Sequence, residues 1–131
     1  ENIGAMGGAG EGFLSAAGYS IDIDTPANKK FVAAFKKEAG SDPDLFGADT
    51  YGLFYLFKQA IEKAGSTDTA KVRAAMEDAS WETPQGTKKM RKGDHQAIVD
   101  MVVVQVKGND FKTVGKVPGA EAVGPDNCDK F

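Results

Sequence analysis

Apolar residues recur at helical spacing in three separate segments of the chain. In the first, Phe31, Val32, Phe35 and Ala39 share a face, while Lys29, Lys30, Lys36 and Lys37 point away. Thr25-Pro26 opens this segment and Gly40 closes it. A threonine cap followed by proline in the first turn, with glycine after the last, predicts a helix between them. The second segment carries Leu53, Phe54, Phe57, Ala60, Ile61 and Ala64 as one stripe, and Tyr51, Tyr55 and Leu56 widen it. That predicts a helix over 51–64, stopped by Gly65 and buried on more than one side. The third has Val72, Ala75, Met76 and Ala79 behind the capping candidates Ser66-Thr67-Asp68, predicting a helix over 69–79. Pro84 and Gly86 break the pattern, and the residues from Trp81 to Thr87 lead into strands.

The strand signals flank these helices. Phe13 to Ile21 reads as extended, and Met90 marks a short strand before Gly93-Asp94. Ala97 to Val106 is the strongest strand signal. Val102-Val103-Val104 has no polar alternation, so burial on both faces is expected. Ser41-Asp42-Pro43-Asp44 and Gly108-Asn109-Asp110 read as turns. Residues 115–131 are rich in Gly, Pro and Asp and are expected to cover a surface or stay loose. Helices and strands mixed in this way place the chain in the α/β class.

With 131 residues, 41% hydrophobic and 27% charged, the chain has the length and composition of one globular domain. No apolar run approaches the ~20 residues of a membrane-spanning helix. The net charge is −3, and the 16 Lys/Arg are spread among 19 Asp/Glu. The doublets Lys29-Lys30, Lys36-Lys37 and Lys88-Lys89 read as solvated surface. No basic stripe exists for nucleic acid. The single cysteine, Cys128, can form no disulfide within the chain and makes no metal site alone.

Catalytic chemistry finds little support. Gly4, Gly7, Gly8, Gly10 and Gly12 suggest a phosphate loop, but no strand precedes them and no Gly-Lys-Ser/Thr follows. They read as a flexible connection. His95, the only histidine, sits in a polar turn beside Asp94, and neighbours on an extended chain point opposite ways. Glu11, Asp22 and Asp24 lack the spacing of a Ca²⁺ loop. These residues favour binding or structure over catalysis, and they imply no cofactor.

A set of short pieces, in order over residues 9–107, carries a family resemblance. They are Glu11-Gly12, Thr25-Pro26-Ala27-Asn28 before Phe31 and Phe35, and Ala48-Asp49-Thr50-Tyr51. Then come Ala60-Ile61-Glu62-Lys63-Ala64-Gly65-Ser66, Thr83-Pro84-Gln85-Gly86 and Gly93-Asp94-His95-Gln96. The set resembles the C-terminal part of periplasmic amino-acid-binding proteins of the leucine/isoleucine/valine type, the solute receptors of ABC importers. The resemblance implies part of a two-lobed type I periplasmic-binding fold, with parallel sheets flanked by helices and the N-terminal portion absent. It places residues 1–24 in a second-lobe strand and hinge crossing, and 25–92 in first-lobe helices and a short strand. Residues 93–131 become the last crossing near Gly93 to Gln96, a second-lobe strand and a tail. It implies a periplasmic location, a membrane permease as partner, no enzyme activity, and a branched-chain amino acid, amide or similar small solute held between the lobes. Phe46 falls where the family places an aromatic ring against the ligand, with Asp49 close behind, although Asp49 can equally cap the following helix. Strands deprived of distant neighbours leave open edges and an uncovered apolar helix face, so the chain alone is expected to self-associate. A sensory receptor domain of the same fold remains the alternative, with an α/β enzyme behind it.

Overall fold

The computed structural model of the protein describes residues 3–126. The end of the tail, with Cys128, lies outside the described residues. The glycine-rich start forms α1 (Ile3–Met6) and a 3₁₀ turn (Gly7–Gly10) instead of the expected flexible connection. β1 (Leu14–Ala17) follows, within the stretch read as extended. α2 (Pro26–Ala39) has the expected bounds, because each end is chemically marked. The Thr25 hydroxyl accepts from the Asn28 amide at 3.1 Å, and Gly40 takes the left-handed conformation with φ 69°.

α3 (Leu45–Ala64) starts six residues before the expected position. Asp44 is the cap, its Oδ1 accepting from Gly47 N at 2.8 Å. Phe46 and Asp49 therefore lie inside the first turns of the helix, and Asp49 does not cap it. α4 (Thr69–Met76) is capped by Asp68, which accepts from Lys71 N at 3.1 Å. It ends earlier than expected because the chain turns at Asp78, whose φ is 57°. β2 (Ser80–Thr83) and β3 (Gly86–Met90) then form a hairpin turned by Pro84-Gln85.

The apolar run from Ala97 to Val106 is two strands, not one. β4 (Ala97–Ile98) pairs with β3, giving the sheet order β2-β3-β4. β5 (Met101–Lys107) is the centre of a second sheet, β1-β5-β6, with β6 spanning Asp110–Val117. The chain changes sheets at Val99-Asp100. There the Asp100 carboxylate accepts from Gly119 N at 2.8 Å and pairs with Lys116 at 2.6 Å. Gly119–Ala122 forms a last short helix, α5. Part of the supposedly loose tail is thus ordered strand and helix.

Two expectations need correcting. Every described ladder is antiparallel, so parallel pairing is not what these strands make among themselves. And β5 does alternate: Val102, Val104 and Val106 are buried while Met101, Val103 and Gln105 are half-buried. Its sheet packs mainly through one face, which explains the period of two.

Three apolar clusters organise the interior. Tyr19, Phe31 and Ala48 join the segment after β1 to α2 and α3. Leu56, Ala79 and Trp81 join α3 to the hairpin, and Ala60, Val72 and Ala75 join α3 to α4. Asn28 sits within this frame at 1% exposure with its amide fully used. Its Nδ2 donates to the carbonyls of Ile21 and Ile23, and its Oδ1 accepts from the Tyr19 hydroxyl at 3.0 Å. That side chain fixes the segment after β1 onto α2, since a buried amide left unpaired is costly. Burial pushes the Tyr19 hydroxyl up to about 12, with the Asp42 charge adding to the effect. α3 is covered on one side only. Phe46, Leu53, Phe54, Phe57 and Ile61 remain exposed.

Candidate functional site

A pocket of about 440 Å³ opens where the β1-β5-β6 sheet meets the start of α3. The turn before α3 supplies Asp42 and Asp44, and the helix supplies Leu45 and Phe46. Across from them stand Ser15 and Ala17 of β1, Tyr19 and Ser20 beyond it, and Asp110 and Phe111 of β6. Phe46 is placed there by the Asp44 cap, which fixes where the first turn begins. Its ring is 72% exposed and is free to be covered by something that enters.

The charges around this pocket are already engaged. Asp44 caps α3, Asp42 pairs with Lys36 at 2.6 Å, and Asp110 pairs with Lys112 at 2.8 Å. The Lys112 ammonium holds the Asp110 carboxyl below its ordinary value, against a smaller contribution from burial. Close by, Asp22 ties the segment after β1 to β6. It accepts from Ser20 Oγ at 2.6 Å and from Thr113 through N at 2.9 Å and Oγ1 at 2.6 Å. Burial works against its ionised form, but these hydrogen bonds outweigh it and the carboxyl lies below the ordinary value. The pocket combines aromatic walls, serine hydroxyls and an acidic rim. That arrangement can hold a small solute with an apolar body and polar ends.

Asp49 faces elsewhere. It lines a second groove, of about 530 Å³, between α3 and the β3–β4 strands, so the two expected site residues do not share one pocket. Asp49 Oδ1 accepts from Lys88 Nζ at 2.7 Å and from Gln85 Nε2 at 2.5 Å. Lys88 is not the solvated surface lysine expected from its doublet, for its side chain is only 10% exposed. Strand alternation explains this, because Lys88 points in where Lys89 points out. Two polar atoms of this region are buried without a hydrogen-bond partner, Trp81 Nε1 and Gln85 Oε1. His95 takes a left-handed turn, φ 56°, with its Nε2 3.6 Å from Glu77. Beside it Arg91 grips Asp94, and that contact, above all, pulls the Asp94 carboxyl down to about 2. Among the described residues, no group of His, Cys, Asp and Glu is arranged to hold a metal ion.

Two small antiparallel sheets, a helical unit packed against one of them and a pocket between the other sheet and the start of α3 place the chain in the α/β class with room for a small molecule. Comparison with known proteins agrees. Residues 1–112 match the model of the family described as periplasmic binding protein, and the chain belongs to that family. It is 34% identical over 110 residues to the Leu/Ile/Val-binding protein homolog 4 of Brucella abortus (strain 2308), covering 80% of this chain and 26% of that protein. It superposes on an ABC-type branched-chain amino acid transporter protein from Rhodopseudomonas palustris CGA009 with TM-score 0.80 and 32% identity. That match covers 92% of this chain and 34% of the other. The solute-binding protein of an ABC transporter from R. palustris BisB5, in complex with 3,4-dihydroxybenzoic acid, matches with TM-score 0.80 and 28% identity. It covers 90% of this chain and 34% of that one. The type I periplasmic-binding fold expected from the sequence is therefore the fold of this chain's relatives, and the chain spans about a third or less of their length.

Proposed function

We propose that this chain is the C-terminal part of an ABC-importer solute-binding protein, acting in the periplasm and delivering its solute to a membrane permease. It binds a small solute between two lobes and carries out no chemical conversion. The carrying observation is the 440 Å³ pocket between the β1-β5-β6 sheet and the start of α3, with the exposed Phe46 ring on its wall. In this reading the β1-β5-β6 sheet belongs to one lobe, and α2, α3, α4 and the β2-β3-β4 sheet to the other. The segments 18–24 and 99–100 are crossings. Phe46 supplies an apolar wall to the solute. Asp49 acts one turn away, fixing the start of α3 to the hairpin through Lys88 and Gln85. A branched-chain amino acid is the first solute to test, in keeping with the names of two of the relatives above. An aromatic acid is the second, given the dihydroxybenzoic acid held by another.

The test is titration calorimetry on the full-length product of the gene with leucine, isoleucine, valine and benzoate. One of these should bind. Phe46→Ala should then weaken that solute about tenfold or more, since covering a large apolar side chain is worth ~1.5–3 kcal/mol. Unchanged affinity would remove Phe46 from the site, and turnover of any bound solute would refute a purely binding role.

A further inference from the structure

The segment between β1 and α2 is gripped from two sides by alternate residues. Tyr19, Ile21 and Ile23 serve α2. The Tyr19 hydroxyl donates to Asn28 Oδ1 at 3.0 Å, and Asn28 Nδ2 donates to the carbonyls of Ile21 at 3.0 Å and Ile23 at 2.9 Å. Tyr19 also packs with Phe31 of α2 and Ala48 of α3. Ser20 and Asp22 serve β6. Asp22 Oδ1 accepts from Ser20 Oγ and from Thr113 Oγ1, each at 2.6 Å, and Asp22 Oδ2 accepts from Thr113 N at 2.9 Å. A turn closed by Ile23 N donating to Ser20 O at 3.2 Å holds the two sets of residues together.

The grip on β6 is long-range. Thr113 lies 91 residues along the chain from Asp22, and β5 stands between β1 and β6 in the sheet. Phe111, two residues before Thr113 on the same face of β6, lines the 440 Å³ pocket, as does Ser20, the other partner of Asp22. The opposite wall, Asp42 to Phe46, leads into α3, which Tyr19 meets at Ala48. One short segment thus joins both walls of the pocket. Among the described residues, the β1-β5-β6 sheet otherwise meets α2 and α3 only slightly, so little else sets their spacing. We propose that Asp22 is a positioning residue for this pocket: its carboxylate clasps the β6 wall to the segment after β1 and fixes the separation of the two walls before any solute enters. Asp22 does this without touching solute. A carboxylate suits the task, because both of its oxygens accept and all three partners donate. That the pocket receives a solute rests on the function proposed above, whereas the clasp does not.

The test uses the full-length product of the gene. Spin labels are attached at Lys37→Cys on α2 and Lys107→Cys on β5, with native cysteines replaced by serine, and the distance between them is measured without solute. Asp22→Ala removes the acceptor, Thr113→Val removes only the hydroxyl donor, and Thr113→Ser keeps that donor. The clasp predicts one narrow distance distribution when Asp22 and Thr113 are intact, and the same in Thr113→Ser. Thr113→Val should broaden it, and Asp22→Ala should broaden it further. Should Asp22→Ala fail to fold, the two Thr113 variants decide. A role in stability alone would lower the melting temperature and leave the distances of the folded protein unchanged, and that result would overturn the inference. Titration calorimetry with leucine, isoleucine, valine and benzoate gives a second readout. A solute that binds should bind about threefold or more weakly to Thr113→Val, since a pocket that is not held in shape must be ordered on binding, and should bind normally to Thr113→Ser. Equal affinity in Thr113→Val would also overturn the positioning role. If none of the four binds while the distances respond as predicted, the clasp stands and the solute reading falls.

Discussion

Removing the Asp49 carboxylate tests how the hairpin is fastened to α3. Lys88 Nζ lies 2.7 Å from that carboxylate, and its side chain is only 10% exposed, whereas Asp49 is 47% exposed. The pair is thus asymmetric. Asp49→Ala strands a nearly buried ammonium and also deprives Gln85 Nε2 of its acceptor at 2.5 Å. Breaking a fully buried pair costs ~3–5 kcal/mol, and breaking an exposed one ~0–1 kcal/mol. With one member buried and the other half in water, Asp49→Ala should cost roughly 2–3 kcal/mol. Lys88→Met should cost less, about 1 kcal/mol or under, because the remaining carboxylate can hydrate. The double variant has no stranded charge and should recover at least ~1 kcal/mol relative to the sum of the singles. Urea unfolding followed by the fluorescence of Trp81, the single tryptophan, reads all four proteins from within the same groove. The slope should stay constant while the midpoint moves. If the two single effects add within ~0.5 kcal/mol, the contact is geometric only and the hairpin is held by packing instead.

Two further outcomes follow from the same region. Gly52→Ala should destabilise although alanine is the better helix former by ~1 kcal/mol. A Cβ at Gly52 would stand 3.0 Å from Thr83 Cγ2, and Thr83 is fixed by donating to Gly86 O at 2.7 Å and accepting from Gln85 N at 3.2 Å. Overpacking of this kind costs ~1–3 kcal/mol, so the melting temperature should fall, and a rise would show that Thr83 gives way. Asp94 sets an acid response. Its folded value of about 2 lies below the ordinary 3.8, so its contribution is complete above the ordinary value and is lost as pH falls toward 2. Across pH 5 to 2 the urea midpoint of the native protein should drop more steeply than that of Asp94→Asn, and parallel curves would refute the Arg91 grip as a folded-state interaction.

The sequence was most legible where local chemistry marks an element's ends. Thr25-Pro26 and Gly40 bound α2 completely, because cap and stop act within one turn. The start of α3 is harder to read, because Asp44 sits in a turn-like cluster and Gly47 and Thr50 dilute the apolar period. The signal was present in Asp44 standing three residues ahead of the Gly47 amide that it caps. Asp100 was a comparable signal. One carboxylate in a run of valines marks where the chain leaves one sheet for the other, held by Gly119 and Lys116. β6 is hidden in the sequence because Gly115 and Gly119 make 115–131 look loose, although Phe111, Gly115 and Val117 are its less exposed positions. Lys88 illustrates what a linear reading loses. Its burial depends on the strand period of two and on a carboxylate 39 residues away, and neither shows in a lysine doublet. Phe46 and Asp49 looked like neighbours of one site. The tertiary arrangement sends them to separate hollows on the two sides of Leu45, which lines both.

The composition of α3 becomes intelligible once its two sides are treated separately. Ala48, Gly52, Leu56 and Ala60 form the side that meets the hairpin, α2 and α4, with small residues wherever the partner comes close. The opposite side keeps Leu53, Phe54, Phe57 and Ile61 large. Covering what remains exposed on those four side chains is worth roughly 3–6 kcal/mol. That is no more than the ~4–15 kcal/mol that two separate molecules lose in translational and rotational freedom on associating. A segment of the same polypeptide does not bear that cost in full, because its local concentration is set by the chain. Phe46 stands at the end of this stripe and on the wall of the 440 Å³ pocket at once.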